Sequence, residues 1–265
     1  MIKIISYYTN IYNFNNIILS VLPVHLGRDK NGRFIRKITP PVSVPLPDKL
    51  KEAMVGQLLG DGHLRFTKKG LDGKPKPNTN AQFSMTLKSK LYSDYLWQNV
   101  YKAICTNTVP NPWPNPNTGK PATQYHFSSK ALVSLSEIHN LWYVWSDKFN
   151  KFIKILPLNI ENLLTPIGLA HLIMDDGYWE KSAKTVMLCT DNFTLAEVEL
   201  LIRVLNSKFN LTATVKRRIK SNKEVCWRIR FSGKTDNILK LINLVKQHFI
   251  PSMLYKLNIT TLCPT

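Results

Sequence analysis

Apolar and polar residues alternate strictly along several short runs of this chain and recur at helical spacing elsewhere, which predicts half-buried strands packed against helices. Along 80–88, Ala81, Phe83, Met85 and Leu87 fall on one face; Asn80, Gln82, Ser84, Thr86 and Lys88 fall on the other. In 224–232, Trp227, Ile229 and Phe231 oppose Arg228 and Arg230, and in 212–220 Lys216, Arg218 and Lys220 share a face. Leu64 and Phe66 oppose Arg65 and Thr67 in a strand predicted at 64–68, and further strands are predicted at 123–129 and 186–190.

Two apolar helices each end in Asp-Gly. The first reads Met54-Val55-Gly56-Gln57-Leu58-Leu59-Gly60-Asp61-Gly62; the second reads Leu169-Ala170-His171-Leu172-Ile173-Met174-Asp175-Asp176-Gly177. Asp48 is the expected cap of the first, with Gly60 near its end and Gly62 as its stop. Thr165 followed by Pro166 is the expected start of the second, which runs to about Asp175 and stops at Gly177. The same order of elements succeeds each helix: strands, a helix at 91–104 or 195–209, and more strands. Phe127-Ser128-Ser129-Lys130 and Phe231-Ser232-Gly233-Lys234 then lead into helices expected at 131–149 and 237–249.

The expected fold class is therefore α+β, with two pseudo-symmetric α-β-β-α-β-β-α halves at 48–157 and 158–265. Residues 1–47 form an extension whose Pro-rich end, 40–47, favours an extended path. A Gly/Pro/Lys-rich insertion at 69–79 reads as a loop in the first half.

Charge narrows the partner. The 265 residues hold 36 Lys+Arg against 17 Asp+Glu, a formal net charge of +19, which points to a polyanion. No apolar run reaches the ~18 residues of a spanning helix, so no membrane partner is expected. The beginning of the chain has no recognisable import address, which for an organellar protein implies synthesis in the organelle. Cys105, Cys189, Cys226 and Cys263 form no C-x-x-C pair, which argues against a zinc or redox site.

Strand faces rich in Arg, Lys, Gln and Asn match the donors and acceptors of base edges in a DNA major groove. Phosphodiester hydrolysis further needs an activated water and neutralised phosphate charge, which Mg²⁺ supplies when held by one or two carboxylates. Asp61 and Asp176, each at a helix C-terminus where the helix dipole disfavours an anion, suit a bound cation.

With these residues in place, the chain resembles the LAGLIDADG homing endonucleases, in the two-motif monomeric form and its omega-type branch. The resemblance spans roughly 48–260 and is strongest at Glu161-Asn162-Leu163-Leu164-Thr165-Pro166, Met174-Asp175-Asp176-Gly177 and Pro251-Ser252-Met253-Leu254-Tyr255-Lys256-Leu257. It implies motif helices side by side at the interface between halves, and two four-stranded antiparallel sheets forming a saddle on double-stranded DNA. It assigns metal binding to Asp61 and Asp176, with the Gly60 and Asp175 carbonyls as auxiliary ligands and two or more Mg²⁺ ions that Mn²⁺ can replace. Lys154 and Lys256 become the catalytic lysines. The expected DNA contacts are Arg65, Thr67, Asn80, Gln82, Ser84, Thr86, Lys88, Gln124, His126, Lys216, Arg218, Lys220, Arg228 and Arg230, with Gln82 and Ser84 also candidates to orient water.

The resemblance further implies a monomer that makes a double-strand break with short 3′ overhangs and promotes intron mobility. The rival readings are an RNA maturase acting on its host intron, and a DNA-binding protein without activity. Abundant Asn, Ile, Lys and Tyr suit an AT-rich organellar genome, mitochondrial before chloroplast. The copies are unequal: small residues Gly56 and Gly60 correspond to His171 and Asp175, and Gln57 replaces an apolar residue. His171 is expected packed or hydrogen-bonded at the helix interface rather than on a metal, Asp175 behind the ligands or uninvolved, and Gln57 facing the gap between the helices.

Overall fold

The computed structural model describes residues 45–260 and a short antiparallel hairpin, β1 (His25–Arg28) with β2 (Phe34–Arg36). The hairpin belongs to one compact unit, Met1–Val44, and all later elements belong to a second, Pro45–Thr265. Most of the expected extended stretch at 40–47 lies outside the described residues.

The first half opens with α1 (Asp48–Leu59), followed by β3 (His63–Phe66) and β4 (Ala81–Leu87). Then come α2 (Lys90–Tyr95), continued by a π turn Leu96–Val100, β5 (Asn111–Trp113), β6 (Gln124–Ser128) and α3 (Val133–Trp142). A hairpin of β7 (Tyr143–Ser146) and β8 (Lys151–Lys154) closes it. The second half runs α4 (Ile160–Leu163), α5 (Pro166–Asp176), β9 (Gly177–Glu180), β10 (Thr185–Leu188), α6 (Leu195–Phe209), β11 (Ala213–Ile219), β12 (Val225–Phe231) and α7 (Thr235–Val245). It ends in 3₁₀ turns at Lys246–His248 and Pro251–Leu257.

The repeat is expressed as matching topology. One antiparallel sheet is ordered β3-β4-β6-β5 and the other β9-β10-β12-β11, so each half pairs its strands in the sequence first, second, fourth, third. The apolar faces of both sheets share one core with the helices; Phe83, Tyr101 and Phe127 stack in it on one side, and Val186, Ile229 and Phe231 lie buried on the other.

Local chemistry explains the boundaries. The Thr194 hydroxyl and the Glu197 carboxylate cap each other's backbone groups at the start of α6, a reciprocal capping box. Thr165 accepts from the Gly168 N–H, with Pro166 in the first turn of α5, as expected. Asp48 differs from its expected role: Pro47 holds the cap position, and Asp48 is the first helical residue, paired with Lys51 at 2.7 Å. Gly177 also stops its helix by another means. Its backbone is extended (φ −85°, ψ 152°), and a Cβ there would lie 2.6 Å from the Ile173 carbonyl oxygen, so close approach demands the glycine. Chain and strand direction change at once, and β9 begins on that residue.

Helix α3 is the main departure from expectation. Residues 131–149 carry helix-like spacing, yet the helix ends at Trp142 and the chain turns into β7 and β8. Tyr143, Val144 and Trp145 favour strands, and Asn150 supplies a left-handed turn residue (φ 48°) before β8. The Tyr143 hydroxyl accepts the Leu64 N–H at 3.0 Å, fixing the hairpin to β3. That hairpin delivers Lys154 to the end of α1. The helix expected at 237–249 likewise ends at Val245, and the one expected at 91–104 relaxes into the π turn and stops at Val100.

Candidate active site

Helices α1 and α5 cross where side chains are smallest. A Cβ on Gly56 would lie 2.0 Å from the Gly168 carbonyl oxygen, so backbone rests on backbone there. One turn on, a Cβ on Gly60 would lie 2.8 Å from Asp175 Cβ. The small partner in α5 is thus Gly168, one turn ahead of His171, and the helix pair is asymmetric as the sequence suggested.

His171 and Asp175, which stand where the first helix has glycine, build a polar seam with Gln57, Tyr92 and Tyr101. The Tyr101 hydroxyl donates to Gln57 Oε1, Gln57 Nε2 lies 3.3 Å from His171 Nδ1, and the Tyr92 hydroxyl lies 3.4 Å from the same nitrogen. Gln57 and His171 are buried, and burial pushes the imidazole down to about 3, so it stays neutral and accepts. His171 is therefore hydrogen-bonded between the helices. Asp175 turns its carboxyl inward: Oδ1 accepts from Tyr92 at 2.9 Å, and Oδ2 is enclosed without a partner among the described residues. Desolvation first, and the nearby Asp61 second, hold this carboxyl well above the ordinary range.

Asp61 and Asp176 emerge where the two helices end. Asp61 is exposed, with its neighbours displacing enough water to raise its carboxyl against the pull of Lys256, Lys154 and Lys88. Asp176 is half-buried and pushed up to about 7 by desolvation and then by Asp61, with Lys256 and Lys154 opposing. Two carboxyls that resist ionisation side by side are a site with unmet demand for positive charge.

Each helix end also holds a lysine. Lys154 Nζ donates to the carbonyls of Leu58 (2.9 Å), Gly60 (3.3 Å) and Gly62 (2.7 Å). Lys256 Nζ donates to those of Ile173 (3.4 Å), Met174 and Asp175 (3.1 Å). Both ammoniums thereby satisfy carbonyls that helix ends leave unpaired and place positive charge at the negative pole of the dipole. Desolvation pushes Lys154 down to about 8 and lowers Lys256, with the three acids pulling both back up. The Gly60 and Asp175 carbonyls, expected as auxiliary metal ligands, are each one of the three carbonyls that a lysine contacts.

The donor set is all oxygen, which suits a hard cation such as Mg²⁺ or Mn²⁺. Among the described residues no group of three or more His, Cys, Asp or Glu is arranged to hold a metal. Two carboxylates with raised affinity for positive charge fit an ion that takes few protein ligands and completes its shell with phosphate and water.

Cross-strand register shows which side chains share a polar face. In the first sheet Arg65 pairs with Gln82, His63 with Ser84, Thr86 with His126 and Trp113 with Gln124. Ser84 is buried, its hydroxyl 2.9 Å from His63 Nε2, and Thr86 Oγ1 lies 3.1 Å from His126 Nδ1. Thr67, Asn80 and Lys88 flank the strand ends, and the Asn80 oxygen reaches toward Ser136 of α3 (3.5 Å). In the second sheet Lys216 pairs with Arg228 and Thr214 with Arg230, which places Arg218 on the same face. Lys220 is bound to Glu224 at 3.1 Å.

Four residues of the helix crossing and the sheet faces escaped the sequence reading. Gly168 lacks a motif label, and Asp191 has no local signal. Trp113, between two prolines, reads as loop but stands 60% exposed on the polar face. His63 was accessible, because the Leu64/Phe66 alternation extended back one residue places it beside Arg65.

Two similar halves, two polar sheets and an acidic centre at paired helix ends define a class: a pseudo-two-fold, sheet-faced protein made to hold a polyanion. The LAGLIDADG DNA endonuclease family model matches residues 51–239, and the chain belongs to that family. It is 29% identical over 216 residues to the cytochrome b mRNA maturase bI2 of Debaryomyces hansenii, covering 81% of this chain and 75% of that protein. It is 31% identical over 160 residues to the intron-encoded endonuclease ai4 of Dictyostelium discoideum, covering 58% of this chain and 92% of the other. Its fold is that of the homing endonuclease I-WcaI bound to its DNA recognition sequence: TM-score 0.64, 24% identity, covering 82% of this chain and 89% of that one.

Proposed function

We propose that this protein is a site-specific homing endonuclease that makes a metal-dependent double-strand break in a long DNA target, leaving short 3′ overhangs and promoting intron mobility. The observation that carries this reading is the paired arrangement of Asp61 and Asp176, each beside a lysine held on helix-end carbonyls. Asp61 and Asp176 would hold Mg²⁺, with Mn²⁺ as a substitute, and the ion would supply charge neutralisation on phosphate and an activated water. The chain itself does the rest. Lys154 and Lys256 fix the last turns of α1 and α5, the Gly56–Gly168 crossing sets how near the two acids come, and the polar sheet faces hold and read the duplex.

Both motif helices and both sheets lie in one chain, which supports action as a monomer. Likeness to a cytochrome b mRNA maturase supports an organelle-encoded, mitochondrial setting rather than a chloroplast one. The same likeness favours a second reading, a maturase that binds its host-intron RNA. Incubation with duplex DNA spanning the intron-free insertion site, with Mg²⁺ and with EDTA, decides between them. Cleavage only with Mg²⁺ is expected. Intact DNA in both, together with accelerated splicing of the intron RNA, would establish the maturase instead.

A further inference from the structure

Arg228 is held unlike any other basic residue of the two sheet faces. Its Nε donates to Asp191 Oδ1 at 2.7 Å and its Nη2 to Asp191 Oδ2 at 2.9 Å, a bidentate pair that takes the inner edge of the guanidinium. Both side chains keep some exposure, 12% and 23%. Arg228 lines an open cleft of about 410 Å³ on the polar side of the second sheet, shared with Tyr178, Lys216, Arg218 and Arg230. The outer edge of a guanidinium held in this way carries two parallel N–H groups and cannot rotate; the Tyr178 hydroxyl beside it is the protein group a base would displace.

That edge matches one base. Parallel N–H donors meet both guanine acceptors, O6 and N7, whereas adenine offers one acceptor beside an amino donor. Charge argues the same way. Asp191 cancels most of the attraction Arg228 would have for a phosphate, while Lys216, Arg218 and Arg230 have no ion-pair partner among the described residues and are free to serve the backbone. What remains at Arg228 is direction rather than net charge.

The position of the pair along the target comes from the chain itself. The Cys189 N–H donates to the Asp176 carbonyl at 3.0 Å, and Asp191 lies two residues further on. The pair therefore adjoins the acidic centre. The first half has no counterpart. Aligning the matched registers Thr86↔His126 and Met187↔Arg230 puts Gln124 where Arg228 stands and Lys90 where Asp191 stands. Lys90 is bound to Asp94, and a glutamine suits adenine.

The geometry points to a guanine-reading clamp in which Arg228 contacts the base pair nearest the cleavage centre of the second half-site and Asp191 is its positioning residue. This clamp rests on the protein being a DNA endonuclease. The test selects bound duplexes from a pool carrying the intron-free insertion site with its central positions randomised, in Ca²⁺, using the full chain. The proteins compared are the wild type, Arg228→Lys, Arg228→Gln, Asp191→Asn and Asp191→Ala.

The wild type should enrich guanine at one position of the second half-site. Both Arg228 variants should lose about five-fold or more of that preference. Asp191→Ala should lose part of it at the same position while binding non-specific DNA more tightly, with Asp191→Asn between it and the wild type. Thermal unfolding checks that each variant folds, and if Asp191→Ala does not, Asp191→Asn decides the positioning role. An unchanged base profile in the Arg228 variants, or an equal loss at every position, overturns the clamp while leaving the endonuclease reading intact. No enrichment of any duplex by the wild type would instead sink the reading on which the clamp rests.

Discussion

Gly56 and Gly168 touch backbone to backbone: a Cβ on Gly56 would fall 2.0 Å from the Gly168 carbonyl oxygen and 2.9 Å from His171 Cβ. This contact sets the distance between the two motif helices and hence between the acids at their ends. Gly56→Ala must part the helices, because neither obstacle is a flexible side-chain tip. The strain should exceed the helix-propensity gain of about 1 kcal/mol and lower the unfolding midpoint by about 5–10 °C. A Cβ on Gly168 would meet nothing nearer than Glu52 O at 3.1 Å, Leu164 Cδ1 at 3.4 Å and Gly56 N at 3.6 Å, so Gly168→Ala should shift the midpoint by a few degrees at most. Equal effects in a thermal melt would show that the crossing is not the tight point.

Lys154→Met and Lys256→Met each strip the helix-end carbonyls of their donor and remove positive charge from beside Asp61 and Asp176. Single-turnover cleavage should slow by about 100-fold or more, while DNA affinity measured in Ca²⁺ changes by about three-fold or less. A parallel fall in affinity would assign these lysines to phosphate binding instead.

Asp176→Asn should abolish cleavage and yet stabilise the metal-free fold at alkaline pH. The Asp176 carboxyl is pushed up to about 7 from an ordinary 3.8, so the folded state binds its proton more tightly than the unfolded chain does. Its contribution is present in full below pH 3.8 and is lost as pH rises through 7. In EDTA at about pH 8 the variant should melt above the wild type, and at about pH 4 the gap should close. Added Mg²⁺ should raise the wild-type midpoint more than the variant's, which keeps only Asp61 of the two acids.

His139 is buried against Phe66, Phe152 and Tyr143, with ring centroids 4.6, 4.7 and 4.6 Å away, and its Nδ1 has no partner among the described residues. Burial pushes it down to about 4 from 6.5, so the unfolded chain takes up the proton first and stability drains away as pH falls from 6.5 through 4. The loss is on the order of 3 kcal/mol. His139→Leu should make that acid limb shallower in a comparison of urea midpoints at about pH 7 and about pH 4.5, the remainder belonging to His171 and His63. The same slope in both proteins would place the acid sensitivity elsewhere.

Much of this arrangement is local in origin and so was legible beforehand. Strand periodicity assigned Gln82, Thr86, Arg228 and Arg230 to polar faces, and the sheet registers place them there. Two helices ending in Asp-Gly, each succeeded by the same order of elements, announced the two-fold plan. The β7–β8 hairpin was not legible, because Tyr143, Val144 and Trp145 fit a helical stripe as well as a strand, and docking on β3 through the Tyr143 hydroxyl decides between the two.

The sequence by itself determined the repeat, the paired acids Asp61 and Asp176, the polar strand faces and the strong positive charge, because each is written in residues close together in the chain. Tertiary structure alone decided what those residues do to one another. It put Gly168 rather than the motif position His171 against Gly56, turned the Asp175 carboxyl toward Tyr92, and seated Lys154 and Lys256 on the carbonyls of helices about 90 and 80 residues away. It also locked Arg228 onto Asp191 across 37 positions. Such pairings arise from desolvation and from unpaired backbone groups created only when distant elements pack, and no local pattern can state them in advance.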